Sequence, residues 1–223
     1  MESKMFLYKI LHDLPDPPED LIAKVDLFRA PEKMEIGIHN KRYLKNWNGN
    51  YYAGVNVRVK NEHFEEWVKE NIYSNIVDAG VNYVNLPEGV THLVSTGAHV
   101  DVIRKFTLLY NIRTGGKDIA TVFWREKGHQ DIRPPGTQVE DLSKLEEITR
   151  AVFPARKWCI LYTQVLHSVE NLSEPRVAFQ VSLNEVPAAW GITDVVMKDF
   201  TVDYNSLYKR QEETGYAYIS QPD

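Results

Sequence analysis

Cysteine is nearly absent from this chain: one in 223 residues, Cys159, so no disulfide framework can form within it. Its place in the apolar run WCILYTQVL marks a buried structural thiol rather than a nucleophile. Concentrated positive charge is also missing. The formal net charge is -5, and the Lys and Arg residues are scattered. No basic run is interleaved with aromatics in the manner that tracks a phosphate backbone, so nucleic acid is not an expected partner. Long hydrophobic runs are missing too, since nothing approaches the roughly 18 consecutive apolar residues of a membrane span. The first twenty residues, MESKMFLYKILHDLPDPPED, lack a basic start followed by an apolar stretch and a small-residue cleavage site. A cytoplasmic protein without a membrane partner is the expectation.

What the chain does have is aromatic and aliphatic bulk. Twelve Tyr, eight Phe and five Trp, with 43% hydrophobic residues overall, describe a globular chain able to bury a sizeable core. A single domain over 1–223 is expected. Residues 1–90 read as an N-terminal extension of helix and strand, 91–184 as the core that carries the motif below, and 185–223 as a C-terminal extension.

The segment YYAGVNVRVK is β-branched and aromatic, and predicts a strand. NEHFEEWVKENI predicts a helix, with Asn61 as N-cap, acidic residues in the first turn, and Phe64, Trp67, Val68 and Ile72 on one face. From Thr91 to Asn184 the period shifts towards two. THLVSTGAHVDV, KFTLLYNI, DIATVFWRE, KWCILYTQVLHSV and PRVAFQVSL read as strands, and EDLSKLEEITRAVF as a helix between them. Turn-rich links such as RTGGKD and RPPGTQ, without a helix between each pair of strands, argue for an antiparallel sandwich or barrel. The Gly115-Gly116 pair is a turn, because no helix start with phosphate-loop spacing follows it.

Within GAHVDVIRKFTLLYNI, His99 and Asp101 are two apart and so share one strand face, an imidazole beside a carboxylate. His167 ends a strongly apolar strand. A turn-rich link follows, and a hairpin would then set the strand that begins at Arg176 beside it. In RVAFQVSL, Arg176, Ala178, Gln180 and Ser182 share one face. If that face is internal, an Arg points into a cavity and implies an anionic partner, either an internal carboxylate or a ligand's carboxylate. Two neutral imidazoles and one carboxylate leave about three positions open on a metal, which suits Fe(II) that must also bind a co-substrate and dioxygen. A structural zinc site would be closed.

The ordered set His99, Asp101, His167 and Arg176 resembles the Fe(II)- and 2-oxoglutarate-dependent dioxygenases. HVDVIRKFTLLYNIRTGG is similar to that superfamily's stretch from His-x-Asp through a T-x-L-x-Y-x-N-like strand to a Gly-Gly turn. HSVENLSEPRVAFQVSL resembles its closing hairpin, and the motif lies nearest the aspartyl/asparaginyl β-hydroxylase-like and proline hydroxylase branches. The resemblance implies a mainly β fold with flanking helices around a double-stranded β-helix (jelly-roll) core. It implies Fe(II) on His99, Asp101 and His167, and 2-oxoglutarate as co-substrate with its far carboxylate on Arg176. It also implies hydroxylation of an unactivated C–H bond with dioxygen. A Ser or Thr that many members carry two residues after the Arg is replaced here by Ala178, which leaves Ser182 as the hydroxyl on that face. The position that touches the co-substrate on the strand after His-x-Asp falls on Tyr110 or Asn111. Asp101 in place of Gly or Ala argues against the halogenating variants.

Plainer readings stand beside this one. A cupin-type metalloenzyme would use no 2-oxoacid, and a non-catalytic β-sandwich binding module would need neither metal nor co-substrate. Ser168 beside His167 is no hydrolase dyad, because neighbours on a strand point to opposite faces. His92 reads as structural and His129 as a loop residue. Arg104 and Lys105 read as a solvated turn, with the alternative that they hold an anionic substrate at the site mouth. The substrate itself, whether amino acid, peptide side chain or small acid, is left open.

Overall fold

A computed structural model describes residues 6–26, 56–84, 86, 91–128, 133–139 and 141–192. Two antiparallel sheets face one another, as the turn-rich links led one to expect. The first runs in the order β1 (Tyr8–Leu11), β10 (Trp158–Tyr162), β6 (Phe106–Thr114), β12 (Arg176–Leu183), β3 (Asp78–Val84) and β2 (Asn56–Lys60). The second runs β8 (Gln138–Val139), β5 (Ala98–His99), β11 (His167–Leu172), β7 (Ala120–Glu126) and β9 (Leu145–Ala151), and β4 (Leu93–Ser95) also pairs with β11. Among the described residues no helix is long and apolar enough to cross a membrane.

The main apolar core covers the outer side of the first sheet and also takes in Leu109 and Leu161 and, from the second sheet, Phe123 and Ala151. Helices α1 (Glu19–Asp26) and α2 (Glu62–Asn71) pack on that outer side. The Asn61 side chain accepts the Phe64 N–H at 3.0 Å, which starts α2 where the sequence places it. Phe64 then stacks on Phe179 of β12 at 4.1 Å, and Trp67 stacks on Trp158 of β10 at 6.5 Å. Val177, Phe179, Val181 and Leu183 of β12 belong to this outer core. By alternation, β12 gives its other face to the space between the sheets. With apolar burial concentrated under the helices, that space can hold polar residues.

Four sequence expectations are corrected. EDLSKLEEITRAVF is not a helix: residues 142–144 form one 3₁₀ turn, and Leu145–Ala151 is strand β9, which among the described residues pairs with β7 at the edge of the second sheet. Its charges mimic a helical surface but decorate an exposed edge, where Glu146 pairs across to Arg125. KWCILYTQVLHSV is not one strand; β10 ends at Tyr162 and β11 starts in the other sheet at His167. The His167 and Arg176 strands are not a hairpin either, since β11 and β12 lie in opposite sheets and the link crosses between them. Finally, the core is not confined to 91–184: β1, β2 and β3 are integral to the first sheet, and β3 pairs with β12 along seven residues. His129 and the tail beyond residue 192 lie outside the described residues.

Candidate metal centre

The strand carrying the first histidine is broken. β4 and β5 both pair with β11, and between them Gly97 has φ 85, a left-handed conformation that glycine adopts without a Cβ penalty. Past the break, His99 stands directly opposite His167, with ring centroids 4.6 Å apart. Asp101 follows on the same side, its Oδ1 3.5 Å from His99 Nε2. One ligand atom from each of His99, Asp101 and His167 lies within 4.8 Å of the others, so the three could hold a metal ion.

Each imidazole is oriented by a backbone carbonyl. His99 Nδ1 lies 3.2 Å from the Gly97 oxygen and His167 Nδ1 lies 2.9 Å from that of Val165. In the neutral ring, Nδ1–H donates and Nε2 is left with its lone pair for a cation, which is the usual supporting arrangement for a metal histidine. Burial, and after it the neighbouring His99 ring, pushes the His167 imidazole down to about 4, so protons do not compete for it near neutrality. Burial alone would raise the Asp101 carboxyl. The Arg104 guanidinium, and after it the neighbouring His99 and His167 rings, outweigh it and hold Asp101 well below the usual carboxylate range. The donor set is two imidazoles, that of His167 neutral, and an ionised carboxylate, which fits a divalent transition metal with open positions.

Asp101 is held from both sides. Arg104 Nε donates to its Oδ2 at 2.5 Å, and Arg104 is itself buried, not the solvated turn residue the sequence suggests. The crossover between β10 and β11 is clamped to the same loop. Gln164 Nε2 donates to the carbonyls of Asp101 and Arg104 at 3.1 and 2.7 Å, and the Thr163 hydroxyl donates to that of Arg104 at 3.1 Å. These bonds fix His167 relative to Asp101. Sequence reasoning missed Thr163 and Gln164, although two polar residues interrupting the apolar run LYTQVL were the available signal.

The cluster opens on a cavity between the sheets that is also lined by Arg58, Asn82, Thr107, Leu109, Arg176 and Gln180. Arg176 is buried, and its Nε and Nη2 both donate to Asn111 Oδ1, at 3.4 and 3.3 Å. By alternation Asn111 shares the inner face with Thr107 and Leu109, and Arg176 shares it with Ala178, the register partner of Asn111. Among the described residues no carboxylate pairs with Arg176, and burial lowers its guanidinium to about 10. Tyr110 is on the outer face, tilted against Trp158 at 5.0 Å, so Asn111 and not Tyr110 reaches the cavity side. Ser182 is fully buried but accepts from Arg104 Nη1 at 3.3 Å and does not line the cavity. Cys159 is buried, its thiol raised to about 12 by that burial. Ser168 accepts from Trp124 Nε1 at 2.8 Å, away from any nucleophilic role. His92 is exposed.

The Gly-Gly turn also bears on Arg176. Gly115 has φ +102, and its carbonyl accepts the N–H groups of Ser173 and Glu174, both at 3.0 Å, which ties the β11–β12 link to the β6–β7 turn. A Cβ at Gly115 would lie 2.6 Å from Ile119 and Leu172 side-chain atoms and 3.0 Å from Arg176 Cβ. Gly115→Ala is expected to cost about 1–3 kcal/mol from the left-handed backbone and the clash together. Denaturant unfolding checks it; an unchanged midpoint would show that the turn relaxes.

No protein-family model matches the chain, and no curated protein does. Among solved structures it is similar to an X-ray structure of E. coli ycfD, at 15% identity and a TM-score of 0.37. That match covers 100% of this chain and 58% of the other, so the chain spans little more than half the length of that structure.

Proposed function

We propose that this chain is an Fe(II)- and 2-oxoglutarate-dependent oxygenase with a jelly-roll core, which hydroxylates an unactivated C–H bond of a small-molecule or peptide substrate. The observation that carries the reading is one cavity holding both the His99, Asp101, His167 cluster and a buried Arg176 that has no acidic partner among the described residues. An unpaired buried guanidinium is costly, and a ligand carboxylate that enters the cavity relieves that cost.

His99 and His167 would hold the metal through Nε2 and Asp101 through its carboxylate. When bound, iron and 2-oxoglutarate supply the oxidising chemistry, with succinate and carbon dioxide as by-products. The remaining work belongs to this chain. Arg176 receives the far carboxylate of the co-substrate, and Asn111 fixes the direction of the guanidinium. Arg104 keeps Asp101 ionised and aimed at the metal. Leu109, Leu161 and Val169 line the cavity and exclude water from the reacting atoms.

Succinate formation tests this without knowledge of the substrate. With Fe(II), ascorbate, 2-oxoglutarate and air, the wild type is expected to form succinate slowly, and His167→Ala at the background rate. Metal binding without succinate, or without affinity for 2-oxoglutarate, would favour the cupin-type reading. Binding of neither would favour a non-catalytic sandwich module.

A further inference from the structure

The cavity has a second cationic pole that the co-substrate does not use. Arg58, on the edge strand β2, lines it with its guanidinium bonded to both oxygens of Asp78, and its Nη2 also donates to the Gln180 carbonyl at 3.4 Å. Arg104 lines it as well and donates from Nη1 to Ser182 Oγ at 3.3 Å. Gln180 and Ser182 are two apart on β12, and Asp78 is the register partner of Ser182. The two guanidiniums therefore converge over neighbouring positions of one strand, beside the metal cluster. Their proximity is felt electrostatically: burial and then the charge of Arg104 lower the Arg58 guanidinium.

Among the described residues, Arg58 and Arg104 are paired with Asp78 and Asp101 and Arg176 with no carboxylate, three guanidiniums to two carboxylates. A divalent metal and a dianionic co-substrate cancel one another, so the positive surplus remains. A second observation on the same wall is independent of charge. Thr107, the register partner of Ser182, and Gln180 line the cavity, and Thr107 Oγ1 and Gln180 Oε1 are buried without a hydrogen-bond partner. Unsatisfied buried polar atoms of this kind mark a wall completed by a polar ligand.

We propose that Arg58 and Arg104, with the Thr107 hydroxyl, form a subsite for a carboxylate of the primary substrate, so that the enzyme acts on a small carboxylic acid. The assignment rests on the metal and co-substrate reading above, but the subsite can stand or fall apart from it. The anion lies between the two guanidiniums and relieves their repulsion, and the Thr107 hydroxyl donates to it. The C–H bond attacked would belong to the acid held there.

Calorimetric titration of sodium propionate, with propionamide as its uncharged match, tests this in the full chain. It is done on the metal-free protein and on protein loaded with Mn(II) and saturated with 2-oxoglutarate. Propionate is expected to bind in both states and propionamide at least about ten-fold more weakly, as befits hydrogen bonds to a charged group. Arg58→Gln should weaken propionate by about 10–100-fold, and Thr107→Val by several-fold, each without change in Mn(II) affinity. If Mn(II) fails to bind yet propionate still depends on Arg58, the function proposed above falls and the subsite stands. Equal binding of propionate and propionamide, no propionate binding, or propionate binding undiminished in Arg58→Gln overturns the subsite. Should Arg58→Gln not fold, Thr107→Val decides, with unchanged propionate affinity counting against the proposal.

Discussion

Arg176→Met is expected to lose 2-oxoglutarate binding and, in the same measurement series, to make the ligand-free protein more stable. Arg176 is buried among strands and, among the described residues, bonded to a neutral amide, Asn111 Oδ1, at distances long for a charge-assisted bond. Its cost in the free protein is the desolvation that lowers its pKa to about 10. Methionine keeps most of the length and volume without the charge, so folding stability should rise on the order of 1–3 kcal/mol, less the cost of leaving Asn111 Oδ1 without its donor. Affinity for 2-oxoglutarate should fall by a factor of about 30 or more, the range for removal of one partner of a desolvated charge pair. Thermal unfolding with and without 2-oxoglutarate reads both effects at once. A destabilised Arg176→Met with intact co-substrate affinity would mean that Arg176 is a structural residue.

His167→Ala and Asp101→Ala are expected to remove Fe(II) affinity, but with different side effects. The outer carbonyl partners of metal histidines alone are worth about 10–100-fold in affinity, so loss of a ligand atom should cost more than about 100-fold. In His167→Ala, a ring that is neutral near pH 7 is deleted, and no charge is left stranded. In Asp101→Ala, Arg104 loses the carboxylate that its Nε meets at 2.5 Å, and a buried guanidinium remains. Asp101→Ala should therefore be the less stable of the two by about 3–5 kcal/mol less what His167→Ala loses as a cavity, the cost of breaking a buried pair from one side. Competition titration against a metal indicator, together with urea unfolding, separates the two effects.

Part of the cluster that could hold a metal was legible because it depends on short-range geometry. His99 and Asp101 are two apart on one face in any extended segment, and Arg176 opens a strand whose apolar face is unmistakable. The approach of His167 to His99 was not legible as drawn from the sequence. It arises from direct cross-strand pairing of β5 with β11, made possible by the break at Gly97, and not from a β11–β12 hairpin. Strand β9 was misread because edge strands carry charge, and charge at short spacing also suits a helix. The choice between Tyr110 and Asn111 needed the position of the helices, which pack on the Tyr110 face and leave Asn111 to the cavity. Arg58 and Thr107 were missed; each stands between apolar neighbours, Arg58 between Val57 and Val59 and Thr107 between Phe106 and Leu108, which was the available signal.

The most direct test of the central claim is spectroscopic. Under anaerobic conditions, Fe(II) and then 2-oxoglutarate are added to the wild type and to His99→Ala, and the visible metal-to-ligand charge-transfer band of a chelated 2-oxoacid is sought. The account predicts a band in the wild type that is absent from His99→Ala. Iron binding with no band on addition of 2-oxoglutarate, or a band that persists in His99→Ala, would contradict it.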